Sequence, residues 1–149
     1  MTEPARLSEM RRAIVEAQEE HPNWFRLPSD EAATPEDIAA AADALGCELP
    51  ESYRVFVSEF GGGDFAFVEI YSATPDSEVS IVVMNQRPWL DTSSFIAFAD
   101  TGTGDYYGWK VVDGSAVDDP VILDHTTGEL RDCDLVDFVD FVLREGLRQ

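Results

Sequence analysis

Apolar residues recur at helical spacing from the start of the chain: Leu7, Met10, Ile14 and Ala17, with arginines and glutamates between them. The pattern predicts an amphipathic helix that stops before His21, because Pro22 cannot continue it. Trp24 and Phe25 follow and are expected to cover one edge of the core. A second helix is signalled by Thr34 as N-cap, Pro35 in the first turn and Asp37 at the capping-box position. Its stripe is Ile38, Ala41, Ala42 and Leu45, and Gly46 ends it. Leu49-Pro50 then opens a short helix with the stripe Tyr53, Phe56, Val57 and Phe60, stopped by Gly61-Gly62-Gly63.

Beyond the glycines the texture turns to β. Phe65 to Tyr71 is aromatic and β-branched and reads as one strand, as do Ser94 to Ala99 and Tyr106 to Val112. The latter two flank the turn Thr101 to Asp105. Asp113-Gly114 marks a turn, Val121 to Asp124 a short strand, and Thr126-Thr127-Gly128 a turn before an edge strand near Leu130. Glu78 to Gln86 is ambiguous: its Val and Ile suit a strand, while Asp76 suits a helix cap, and helix is preferred. A closing helix is expected over Leu135 to Glu145, capped by Asp134, with Leu135, Phe138, Val139 and Val142 facing the core. Strands joined by turns this short pair antiparallel. The fold class is therefore α+β: an antiparallel meander of five to six strands packed against N-terminal helices and one C-terminal helix. At 149 residues and 44% hydrophobic content, one domain spanning 1–149 is expected.

Charge changes the functional picture more than the fold. Thirty acidic residues against ten basic ones give a formal net charge of −20. Such a surface repels phosphate backbones and anionic lipid, so neither nucleic acid nor membrane is an expected partner. It either steers a basic partner or reflects a salt-adapted proteome. Nine of the ten basic residues are arginine, which suits the second explanation too. The start MTEPARLSEMRR lacks the basic and apolar regions of a secretory peptide, and no apolar run approaches the ~18 residues a membrane span needs. The cytoplasm is the expected compartment, and Cys47 and Cys133, which form no metal or CxxC spacing, are expected to be free thiols.

The run Ile38 to Phe60, IAAAADALGCELPESYRVFVSEF, resembles the opening of the SUKH superfamily, the Smi/Knr-type domains: a helix, a small turn, Leu-Pro, and a Tyr-bearing helix ending in glycines. SFIAFADTGTGDYYGWKV resembles that family's central hairpin, PVILDHTTGEL the next one, and LVDFVDFVL its closing helix. The resemblance runs from about Ala5 to Leu143. It implies a scaffold without catalytic or cofactor residues. Bacterial members are largely immunity proteins that bind toxins, often nucleases or deaminases, whereas fungal relatives are regulators of cell-wall synthesis with long flanks. The implied partner is a basic protein such as a cognate toxin.

Direct chemistry is thinly signalled. His125 and Glu129 share one hairpin, but no HExxH or third ligand is specified. No GxSxG surrounds a serine, and Gly102-Thr103-Gly104-Asp105 precedes a strand, lacks the P-loop lysine and carries an acid that repels phosphate. No cofactor is expected. The candidate partner-binding residues are Asp64, Asp100, Asp105, Tyr106, Asp118 and Asp119, on loops expected at one end of the sheet. Tyr106 would be an exposed aromatic anchor among them. By strand alternation Tyr107 and Trp109 share a face opposite Tyr106, so a one-sided sheet would bury only one set. Two other readings stay open: a regulatory scaffold, and a salt-adapted ligand binder or hydrolase.

Overall fold

The computed structural model describes residues 3–149, so Met1 and Thr2 of the N-terminal run lie outside the described residues. Helix α1 spans Glu3–Glu20 and buries Leu7, Met10, Ala13, Ile14 and Ala17. Each large aliphatic side chain so buried contributes about 1.5–3 kcal/mol. A single 3₁₀ turn, Pro22–Phe25, follows. Helix α2, Pro35–Leu45, carries the expected capping box. Thr34 Oγ1 accepts from Asp37 N at 3.1 Å, and Asp37 Oδ2 accepts from Thr34 N at 3.1 Å. Helix α3, Glu51–Phe60, buries Ser52, Tyr53, Phe56 and Val57, while Phe60 is half-buried at its end. Gly61 must be glycine: at φ 88° an added Cβ would sit 1.9 Å from Asp30 O.

The sheet is an antiparallel meander in the order β1-β2-β3-β4-β6-β7. Its strands are β1 (Gly63–Phe65), β2 (Val68–Ile70), β3 (Phe95–Asp100), β4 (Tyr106–Val112), β6 (Val121–Leu123) and β7 (Leu130–Asp132). A two-residue β5, Ser115–Ala116, returns onto β4 and was not expected. Phe65 to Tyr71, expected as one strand, is instead the tight hairpin β1–β2. Its reversal lies at Ala66, held at φ 48° without the Gly or Asn that usually marks such a bend. The ambiguous segment is helical only over α4, Ile81–Met84, and Ser80 rather than Asp76 precedes it.

The closing helix begins later than the sequence suggests. It spans Phe138–Asp140 (α5), and its N-cap is Asp137, whose carboxylate accepts from Asp140 N, instead of Asp134. A π-helical turn, Phe141–Gly146, continues it, with Leu147 N donating to Val142 O. The wider winding lets three consecutive residues, Phe141, Val142 and Leu143, all point inward.

Both faces of the sheet are covered, contrary to the one-sided expectation. On one face an aromatic cluster joins helices to strands: Phe138 lies 5.6 Å from Tyr53, 5.7 Å from Phe56 and 5.2 Å from Phe98, centroid to centroid. Trp109 is buried there, 4.6 Å from Phe98. The segment from Tyr71 to Leu90 runs along the edge of β3: Tyr71 O accepts from Tyr53 Oη of α3, α4 packs against α2 and β3, and Arg87 and Trp89 then reach the Tyr106 hydroxyl on the opposite face. Asn85 secures it, accepting from Ala97 N and donating to Ala97 O across the irregularity between Ala97 and Ala99. Tyr106 is therefore buried, not an exposed anchor. Its hydroxyl accepts from Arg87 Nη1 at 2.7 Å and Trp89 Nε1 at 3.1 Å.

Candidate functional site

The six candidate residues do not form one surface. The fold separates them into three settings, each fixed by strand register or helix capping.

Asp64 and Asp100 come together. In the hairpin, Asp64 is paired with Glu69, and the Ile70–Ala99 pairing sets Glu69 beside Asp100 on β3. Directly paired residues point to the same face, so three carboxylates stand in a row across three strands. None has an ion-pair partner among the described residues. Partial burial and the charges of Asp64, Asp100, Asp30 and Glu78 push the Glu69 carboxyl above the usual carboxylate range. Asp30 joins because the preceding loop runs along the edge of β1: Asp30 N donates to Gly62 O, and Asp30 Oδ2 accepts from Ser77 Oγ at 2.6 Å. Tyr71 Oη is buried close to Asp100 but has no hydrogen-bond partner.

Asp105 is committed elsewhere. Its side chain is only 12% exposed; it accepts from His125 N at 3.0 Å, lies 2.6 Å from His125 Nδ1 and 3.4 Å from Arg131 Nη2. These hydrogen bonds hold its carboxyl below the usual range. Asp105 therefore anchors the loop between β6 and β7 and is not a free steering charge. His125 groups with Asp105 and Asp124, not with Glu129, and their ligand atoms lie within 4.8 Å of one another. Two of these groups already have internal roles: Asp105 holds His125 through its Nδ1, and Asp124 Oδ1 accepts from Thr126 N at 2.8 Å.

Asp118 lies on the helical side. Its two oxygens accept from Ser52 Oγ at 2.7 Å and Phe138 N at 2.8 Å, tying the loop before β6 to α3 and to the first turn of α5. Burial raises its carboxyl above the usual range despite those bonds. Asp119 beside it is exposed.

Sequence reasoning missed Glu69, Asp30 and Glu78. The signal for Glu69 was present in the polar position of Val68-Glu69-Ile70, but reading it required the hairpin. Cys47 and Cys133 are free thiols, as expected. No described helix is long and apolar enough to cross a membrane. A cavity of about 510 Å³ between α2 and α3 is walled by Ile38, Ala42, Leu49 and Val55, which accounts for the partial exposure of the outer part of the α2 stripe.

A protein-family model described as SUKH_6, SMI1-KNR4 cell-wall, matches residues 35–132. No curated protein matches the chain.

Proposed function

We propose that this chain, which belongs to the SMI1-KNR4 family of SUKH domains, is a single non-catalytic binding domain acting in the bacterial cytoplasm as an immunity protein, and that it neutralises a basic toxin of nuclease or deaminase type. The observation that carries the reading is the row Asp64–Glu69–Asp100. Like charges directly opposite on neighbouring strands destabilise a sheet by roughly 0.2–1 kcal/mol a pair. Here partial burial, and after it the charges of Asp64, Asp100, Asp30 and Glu78, raise the Glu69 carboxyl above the usual carboxylate range. An arrangement that weakens the free protein is relieved when a partner supplies cations.

A toxin acting on nucleic acid carries that cationic surface, because it must hold phosphates. An acidic face laid over it blocks the substrate, and long-range attraction raises the association rate by about 10- to 1,000-fold. The remaining net negative charge adds to the steering field.

The alternative of an enzyme is favoured only by the Asp105–His125 pair. There the imidazole is held by a carboxylate that also binds the loop backbone, which is what a structural anchor requires. Co-expression tests the proposal. The chain should restore growth to cells producing the toxin encoded beside it, and Asp64→Asn, Glu69→Gln and Asp100→Asn together should abolish the rescue while leaving the fold intact. Full rescue by the triple variant would contradict it.

A further inference from the structure

Burial removes Tyr106 as an aromatic anchor, but a second aromatic stands over it. Trp89, on the segment that follows α4, is 60% exposed. Its orientation is fixed: Nε1 donates to the Tyr106 hydroxyl at 3.1 Å, and the Arg87 guanidinium lies 5.8 Å from its ring centroid. Arg87 is held in turn, donating to the same hydroxyl at 2.7 Å. A hollow of about 350 Å³ opens beside the indole, lined by Trp89, Gly104, Tyr106 and His125, so the ring borders unfilled space.

Strand register places this indole at the end of the acidic row. Asp100 is paired with Tyr106, so Asp64, Glu69, Asp100 and Tyr106 all point to one face. Four strands spaced by about 4.8 Å carry the line over roughly 14 Å. Beyond Tyr106 it turns apolar, through Leu123 to Leu130, which is 38% exposed. Charge also changes along the line. Three carboxylates come first, then Arg87, and none of the four has an ion-pair partner among the described residues. A cation laid against Trp89 would be repelled by Arg87, whereas an uncharged apolar group would not.

We propose that Trp89 is the apolar anchor of the binding face, and that the partner presents one aliphatic side chain to it, next to the cations that meet Asp64, Glu69 and Asp100. This rests on the binding function proposed above and extends the same face. Ordering an exposed side chain ordinarily costs affinity, but the bond to Tyr106 and the contact with Arg87 have already fixed this one. Tryptophan is also among the residue types that dominate interface energy. The two halves of the face act on different steps. The carboxylates set the rate of association, and burial of the indole sets the rate of dissociation.

Two peptides of equal charge test it by indole nitrogen NMR. One is acetyl-Lys-Ser-Lys-Ser-Leu-amide, which spans about 13 Å from its first lysine to its leucine when extended. The other has serine in place of the leucine. The leucine peptide should bind about fivefold more tightly and move the Trp89 indole resonance. Trp89→Ala should remove that advantage, and Trp89→Phe should keep most of it. With the toxin encoded beside the chain, stopped flow should show Trp89→Ala dissociating about 30-fold faster and associating within about twofold of the parent rate. Equal binding of the two peptides, or no shift at the Trp89 indole, would overturn the anchor, and the parent chain alone decides this if Trp89→Ala fails to fold. An unchanged dissociation rate in Trp89→Ala, with slowed association in the triple acidic-row variant, would overturn the anchor alone. No change of either rate in either variant would overturn the proposed function as well.

Discussion

Phe138 is the side chain on which the fold depends most, and its truncation gives a measurable prediction. It is fully buried, with ring contacts to Tyr53, Phe56, Phe98, Trp109 and Phe141 at centroid distances of 5.2–6.2 Å. Three of the contacts, with Tyr53, Phe56 and Phe98, are edge-to-face, the arrangement aromatic rings prefer. Its neighbours come from α3, β3, β4 and the π turn, so no single element can shift to fill the space. Phe138→Ala should therefore cost the upper part of the usual range for buried Phe, about 4–5 kcal/mol. For a chain of this length that lowers Tm by roughly 10–20 °C. Phe60→Ala is the control: Phe60 is half-buried at the end of α3, and among the described residues its ring partner is Phe56 at 5.7 Å. It should cost about 1–2 kcal/mol by the apolar area it loses. Urea and thermal melts of both variants measure the difference. A Phe138→Ala protein melting within two degrees of the parent, or below Phe60→Ala in cost, would refute this account of the core.

The acidic row predicts that Glu69→Gln raises stability at pH 7 by about 0.5 kcal/mol, since it removes one like-charge pair on each side; an unchanged or lowered urea midpoint would count against the repulsion. Stability should also depend on pH in two opposed ways. Glu69 and Asp118 have folded pKa values above their unfolded ones, so each weakens the native state at neutral pH, and that loss is recovered as pH falls through the raised folded pKa. Asp91, Asp105 and Asp124 have lowered folded values, so their contribution is present above the unfolded value and disappears as pH drops through the folded one. Melting temperature should thus rise from pH 7 to about 5 and decline below about 4, and a monotonic fall from pH 7 would contradict the assignment. His125→Asn should leave toxin rescue intact; lost rescue with an unchanged melting curve would point to chemistry at the Asp105–His125 pair.

The helices and most strands were legible because their signals are local. Thr34-Pro35-Glu36-Asp37 announces its own capping box, and Tyr106 to Val112 is dense in aromatic and β-branched residues. The first hairpin was hidden because Ala66 bends the chain where the sequence offers no glycine. The closing helix was misplaced because Asp134 and Asp137 are both competent caps, and only the packing of Phe138 against α3 and β3 selects the second. The error at Tyr106 had a different source. Its alternation was right, but nothing near it in sequence says that Arg87 and Trp89 will fold over that face. Among the site residues, Asp64 and Asp100 stood out as charges, but their alignment through Glu69 is a matter of register. Asp105 and Asp118 looked like their neighbours in composition, and only their hydrogen bonds separate a loop anchor and a buried carboxylate from the open acidic row.

The most direct test of an electrostatically steered binding face is the association rate with the cognate toxin across ionic strength, measured by stopped flow for the parent and for the Asp64→Asn, Glu69→Gln, Asp100→Asn variant. Steering by this row predicts a parent rate that falls steeply with salt and a variant at least tenfold slower at 10 mM salt, with the two converging near 1 M. Equal rates at low salt, with parallel salt dependence, would mean that the row plays no part in binding.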